Sequence, residues 1–167
     1  MKIGGKAAAV GVALLAFCSI AGGIGPGDQA PPCAARLLDN GAAVDLADYR
    51  GQVVYLDFWA SWCAPCRESF PFMNDLDREF RDQGLRIIAV SVDKSADDAR
   101  RFLARYPPQF AIALDAAGAC PAAYDLQGMP SSYLIDRTGR FRAVHAGFRS
   151  GDKAELRRQV MEALAQR

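Results

Sequence analysis

The chain has 167 residues, of which 51% are hydrophobic and 23% are charged, a composition typical of one average-sized globular domain. Twenty basic and 19 acidic side chains leave a formal net charge of +1, and this balance gives no indication of nucleic-acid binding. We predict three parts: a signal peptide or membrane anchor over residues 1–21, a linker over 22–33, and a single folded domain over 34–167.

The first part has the pattern of an export segment. Lys2 and Lys6 precede an uncharged stretch over residues 7–26, whose centre at 10–20 is apolar. A basic start followed by a short apolar run is typical of a secretory signal or an N-terminal membrane anchor. We therefore expect a periplasmic protein, either soluble after signal cleavage or tethered to the inner membrane.

The fate of this segment stays open at the sequence level. Small side chains at Ser19 and Ala21 are compatible with cleavage before Gly22, which would leave 18 basic and 19 acidic side chains. Cys18 offers lipidation as an alternative, although Phe17 is bulkier than a lipobox accepts at that position.

The next residues are predicted to change from a tether to regular structure. Residues 22–32 contain four glycines and three prolines, which favours an extended linker. The pair Asn40-Gly41 lies between two short apolar segments within 37–46 and predicts an N-terminal hairpin. The apolar run 53–58 predicts a buried strand.

Strands and helices then alternate along the chain. The predicted elements are a helix from Ala64 to a stop at Gln83-Gly84, a strand over 86–92, a helix over 96–106 capped by Ser95, a strand over 110–114, a helix over 121–126 with Cys120 at its cap, strands over 132–136 and 140–146, and a helix over 153–165. This order predicts an α/β fold with a mixed central sheet flanked by helices on both faces.

Two cysteines lie between the strand 53–58 and the following helix. Cys63 and Cys66 have the Cys-x-x-Cys spacing that closes a disulfide across one helical turn. A helix N-terminus favours thiolate over thiol, so Cys63 is the predicted nucleophile and Cys66 the resolving thiol. Half of a zinc site is the alternative, but Cys33 and Cys120 do not supply the second close pair that such sites show.

Cys33 and Cys120 complete an even number of cysteines after the export segment. An oxidising compartment would permit a structural disulfide between them. Two unrelated free thiols remain the alternative, because a sequence does not give connectivity.

Asp57 and two other residues are further candidates. Asp57 precedes Cys63 by six residues on a strand expected to be buried, where its pKa would rise and it could deprotonate Cys66. An outward-pointing charge is the alternative. Trp62 is predicted to line the substrate face, and His145, the only histidine, is assigned a structural role.

The segments 57–66 and 128–136, together with Pro71, resemble the thioredoxin superfamily, in particular its exported TlpA-like thiol-disulfide oxidoreductases. The resemblance implies a thioredoxin-like fold in which Pro130 is the cis-proline beside the redox pair and Met129 offers its backbone to an extended substrate strand. In thioredoxin a lysine lies close to the acid that matches Asp57, whereas this chain has Ala89 there.

The predicted function is a periplasmic protein disulfide reductase that uses the Cys63-Cys66 pair and needs no cofactor or metal. The resemblance implies electrons from a membrane thiol relay and protein disulfide substrates such as apocytochrome c, with the chain acting as a monomer. The alternative is a copper-binding assembly factor that uses the two cysteines and His145, although such proteins space their cysteines by three residues instead of two.

Overall fold

The computed structural model describes residues 24–166, so the predicted export segment and Cys18 lie outside the described residues. Within this range the strands are β1 (Arg36–Leu37), β2 (Val53–Trp59), β3 (Leu85–Ser91), β4 (Ala111–Leu114), β5 (Ser131–Ile135) and β6 (Phe141–Ala146). The α-helices are α1 (Cys66–Phe80), α2 (Ala96–Leu103), α3 (Ala119–Ala123) and α4 (Lys153–Ala165), and short 3-10 turns cover Leu46–Tyr49, Arg81–Gln83 and Ser150–Asp152.

The strands form one mixed sheet in the order β1-β4-β3-β2-β5-β6. β2, β3 and β4 run parallel to one another, whereas β5 is antiparallel to β2 and to β6. All seven residues of β2 are buried, as expected for an inner strand that is covered on both faces. The predicted α/β architecture with a mixed sheet is confirmed.

Side chains that alternate along β2 enter two separate cores. Tyr55 and Trp59 pack with α1, α2 and α4 on one face of the sheet. Leu56 and Phe58 pack on the other face with Tyr124 and with residues of α3 and the N-terminal segment. The first face therefore carries three helices, and the second carries the short helix α3 together with irregular chain.

The predicted helix boundaries agree closely for α1 and α2. The apolar positions that predicted α1 are buried, and Gly84 ends the following 3-10 turn with φ +100°, a conformation that glycine adopts easily. The Ser95 side chain accepts a hydrogen bond from the Asp97 amide at 3.2 Å and caps α2, as predicted. α2 ends at Leu103, earlier than expected, because prolines at 107 and 108 disfavour helix in the preceding chain.

The N-terminal hairpin is present in a shortened form. The Leu37 amide donates to the Ala42 carbonyl at 2.8 Å, and Arg36 forms an antiparallel bridge with Ala43. The second arm does not continue as a strand, because Leu46 already lies in a 3-10 turn. β1 instead extends the sheet by pairing antiparallel with β4.

Part of the segment predicted as a linker, residues 22–33, lies against β6. The Gly27 amide donates to the Phe141 carbonyl at 2.7 Å, and the Phe141 amide donates to the Asp28 carbonyl at 2.9 Å. Backbone pairing needs no pattern of side chains, so the glycine and proline content does not prevent it. The composition of residues 22–33 predicts a tether, but the backbone of residues 27 and 28 is hydrogen-bonded to the sheet.

α3 begins before the predicted residue 121. The Asp115 carboxylate accepts hydrogen bonds from the amides of Gly118 at 2.9 Å and Cys120 at 2.6 Å, and thereby satisfies donors at the start of this helix. Cys120 consequently lies inside the first turn of α3, and its predicted place at the cap is wrong.

Candidate active site

Cys63 and Cys66 lie at the junction of β2 and α1 and are joined as a disulfide with their Cα atoms 5.4 Å apart. Cys66 is the first residue of α1 and is fully buried, whereas Cys63 precedes the helix and is 4% exposed. The positive end of the α1 dipole favours a thiolate at this junction. Cys63 is thus the more exposed of the two cysteines, and Cys66 is the more deeply buried one.

A buried carboxylate fixes the loop in front of the redox pair. Asp93 accepts hydrogen bonds from the Ser61 amide at 3.0 Å, the Ser61 hydroxyl at 2.9 Å and the Ser91 hydroxyl at 2.8 Å. Ser61 lies two residues before Cys63, so these bonds hold the start of the active-site loop against the end of β3.

No local sequence pattern indicates a role for Asp93. The available signal was topological: Asp93 follows β3, which runs parallel to β2, and both strands end at the same edge of the sheet. Polar side chains at that edge are well placed to serve a shared site.

Asp57 lies in the interior of the sheet, 2% exposed, and not at the surface. Its neighbours on the adjacent strands are Ala89 on β3 and Ser132 on β5. Burial raises the pKa of Asp57 well above its usual range, and among residues 24–166 its Oδ2 atom has no hydrogen-bond partner. The buried Tyr55 lies on the same face, where burial and the Asp57 charge both raise the pKa of its hydroxyl.

A groove of about 490 Å³ opens beside the redox pair. Residues 62–65 line one side of it and residues 126–129 line the other. Trp62 is 67% exposed, which is unusual for such a large apolar side chain. The Met129–Pro130 peptide bond is cis, and the Ser131 hydroxyl donates to the Gly128 carbonyl at 2.8 Å, which fixes the turn before β5. Trp62 and Met129 therefore line the same groove as Cys63, and Pro130 follows Met129 directly, immediately before β5.

A second disulfide joins Cys33 and Cys120, whose Cα atoms are 4.6 Å apart and whose side chains are buried. The Tyr124 hydroxyl donates to the Pro31 carbonyl at 3.0 Å and reinforces the same connection. The bond anchors α3, and the chain that leaves α3 forms the 126–129 side of the groove. This geometry favours the structural disulfide over two unrelated free thiols.

Trp59 and His145 lie outside the groove beside the disulfide. Trp59 is fully buried and packs against Phe70, with ring centroids 4.9 Å apart, so it fills the core. His145 lies on β6, where its Nε2 atom is 3.3 Å from an Asp152 carboxylate oxygen. In the described part of the chain, no three His, Cys, Asp or Glu side chains are grouped to hold a metal ion. Likewise, none of the helices over 24–166 has the length and apolar character to cross a membrane.

A mixed sheet with a Cys-x-x-Cys disulfide between an inner strand and its following helix, faced by a cis-proline, defines a thioredoxin-like redox protein. The comparison with protein families agrees with this class. The chain belongs to the Redoxin family, whose model matches residues 25–160. The predicted thioredoxin-like relationship is therefore confirmed.

Several proteins of known name are similar to this chain. The thiol-disulfide oxidoreductase ResA of Bacillus thuringiensis subsp. konkukian is 33% identical over 114 residues, which cover 68% of this chain but 65% of ResA, slightly under two thirds. The thioredoxin-like protein YneN of Bacillus subtilis is 37% identical over 128 residues, covering 75% of this chain and 74% of YneN. A Chlorobium tepidum structure, provisionally named thiol:disulfide interchange protein DsbE, has a TM-score of 0.81 at 44% identity and covers 85% of this chain and 99% of its own.

Proposed function

We propose that this chain is a thiol-disulfide oxidoreductase that reduces disulfides in other proteins through Cys63 and Cys66. The observation that carries the proposal is the disulfide between them at the start of α1, with Cys63 on the wall of the Trp62 groove. The names of the ResA and DsbE relatives support the same reaction type.

The reaction proceeds in two thiol-disulfide exchanges. The Cys63 thiolate attacks one sulfur of the substrate disulfide, forms a mixed disulfide and releases the other substrate sulfur as a thiolate that takes up a proton. Cys66 then loses its proton and attacks the Cys63 sulfur, which releases the second substrate thiolate. The substrate gains two electrons, and the enzyme is left with the Cys63–Cys66 disulfide, which an external dithiol must reduce again.

Asp57 is proposed to accept the proton that Cys66 loses. Its burial supports this role, because burial raises the pKa of this carboxyl group and so makes its carboxylate a stronger base. The proposed substrate contacts are the exposed face of Trp62 and the backbone of Met129 before the cis-proline Pro130. An extended segment could lie along the groove with its cysteine facing Cys63.

The proposed setting is the periplasm, where the protein is soluble or held to the inner membrane by its N-terminal segment and acts as a monomer. The basic and apolar pattern of residues 1–21 supports export. The proposed electron donor is a membrane thiol relay, and the proposed pathway is cytochrome c biogenesis, with apocytochrome c among the substrates. The proposal of these partners rests on the resemblance to TlpA-like proteins.

The decisive experiment traps the mixed disulfide. Cys66→Ser removes the resolving thiol, so a protein with an exposed disulfide should accumulate as a covalent adduct that dithiothreitol releases. Cys63→Ser is the matched control and should form no adduct. An adduct that forms equally well with Cys63→Ser would contradict the assigned roles.

A redox titration of the Cys63–Cys66 pair tests the direction of the reaction. A reductase requires a reduction potential below that of the glutathione pool, about −240 mV, so that electrons flow toward substrates. A strongly oxidising potential, near that of disulfide-forming oxidants at about −120 mV, would overturn the assignment as a reductase.

A further inference from the structure

A second groove, of about 260 Å³, is lined in part by Ser61 and Arg67, which lie just before and just after the Cys63–Cys66 segment. Its lining is mostly charged and aromatic, and comprises Ser61, Arg67, Asp98, Arg101, Phe102, Arg105 and Tyr106. The proposed reaction gives no role to this groove or to its arginines.

The charge in this groove is positive and only partly neutralised. Arg101 forms an ion pair with Asp98, the one carboxylate in the lining. Arg67 and Arg105 are exposed, and within residues 24–166 neither of them is engaged in an ion pair. The other arginine of α2, Arg100, pairs with Asp97 outside this groove. Two guanidinium groups thus remain available to an external anion.

The basic groove lies next to the loop that carries Cys63, so its charges can contact a substrate that is bound there. Residues 62–65 form one side of the apolar groove, while Ser61 and Arg67, on either side of that stretch, line the basic one. The active-site loop therefore contributes to an apolar and to a basic surface. A polypeptide that places its disulfide at Cys63 and occupies the apolar groove brings its neighbouring residues near the basic one.

We infer that the basic groove binds an acidic segment next to the reactive cysteine of the protein substrate, and this inference rests on the proposed function. Guanidinium groups bind Asp and Glu carboxylates through paired hydrogen bonds, and they remain charged at every physiological pH. The Phe102 ring, which is buried against Trp59, gives the groove a rigid floor. The groove thus selects substrates by the charge beside the cysteine, whereas the apolar groove holds the chain.

The test compares two synthetic peptides that each contain one disulfide. They are identical except that two residues beside the attacked cysteine are Asp and Glu in one peptide and Asn and Gln in the other. With the reduced full-length protein, kcat/KM should be about threefold to tenfold higher for the acidic peptide at low salt, the range expected for two exposed ion pairs. The preference should largely disappear at 0.5 M salt, where charges are screened over a few ångströms.

Two matched variants assign the effect to this groove. Arg105→Gln should remove most of the preference for the acidic peptide, whereas Arg100→Gln, which changes an exposed arginine of α2 outside the groove, should leave it unchanged. Both variants should reduce a small aromatic disulfide at the parent rate, because Arg105 is not part of the redox pair. A preference that survives Arg105→Gln, or equal kcat/KM for the two peptides, would overturn the inference and leave the proposed function standing. A parent protein that reduces neither peptide would overturn the proposed function and the inference together.

Discussion

Replacing Cys33 and Cys120 together with alanine should strongly destabilise the domain. The two residues are 87 positions apart, so their bond restricts most of the unfolded chain. The chain-entropy relation for a loop of this length gives about 4.6 kcal/mol of stabilisation at 25 °C. For a domain of this size, such a loss corresponds to a fall in Tm on the order of 10–15 °C.

The matched control is the double variant Cys63→Ala with Cys66→Ala. It removes the same atoms from buried positions, but its disulfide spans a separation of only 3 residues. The same relation gives about 1.6 kcal/mol for that short loop. The Cys33 and Cys120 variant should therefore be less stable than the control by about 3 kcal/mol.

Urea unfolding of the oxidised proteins at neutral pH, followed by tryptophan fluorescence and far-ultraviolet circular dichroism, measures both differences. Coincident transitions from the two probes are needed for a two-state free energy. A Cys33 and Cys120 variant that loses less than about 1 kcal/mol, or no more than the control, would refute the loop-entropy reasoning.

Three further predictions concern the redox site. Burial raises the pKa of Asp57, so its stabilising contribution is complete below its unfolded pKa of about 3.9 and is lost as the pH rises through the folded pKa. Asp57→Asn should accordingly gain stability relative to the parent between pH 3.5 and pH 7.5 in urea titrations, and an identical difference at both values would contradict the buried charge. Asp93→Asn loses charge-assisted hydrogen bonds to Ser61, so its free energy of unfolding should be about 1–3 kcal/mol lower than that of the parent. The alkylation rate of reduced Cys63 should also change. Parent-like values in both measurements would contradict the role of Asp93 in holding the active-site loop. Trp62→Ala should raise KM for a peptide disulfide about fivefold or more but leave the rate with a small aromatic disulfide unchanged, and equal effects on the two substrates would argue against a binding role.

The regular elements could be predicted because their side-chain patterns are local. The apolar run at 53–58 and the helical spacing from Phe70 to Phe80 directly reflect burial on the sheet and on α1. The helix predicted over 153–165 has the observed bounds for the same reason. Cys63 and Cys66 could be assigned as a redox pair because the motif falls between two such elements.

The features that escaped prediction depend on contacts between distant residues. No local pattern indicates that residues 27 and 28 pair with Phe141, because the bonds involve backbone atoms only. The connection between Cys33 and Cys120 is fixed by how the chain crosses the second face of the sheet. Asp93 became recognisable only when parallel pairing placed the end of β3 beside Ser61.

The pairing of residues 27 and 28 with β6 fixes where the N-terminal segment lies relative to the redox disulfide. Their contacts at Phe141 lie beside the β5–β6 turn, whereas antiparallel register places Ser131 next to Phe58, close to the redox disulfide. A strand of the length of β2 separates these two ends by about 20 Å. If the chain is held at its N-terminus, the Cys63–Cys66 disulfide therefore lies at the opposite end of the sheet, where it faces away from the point of attachment.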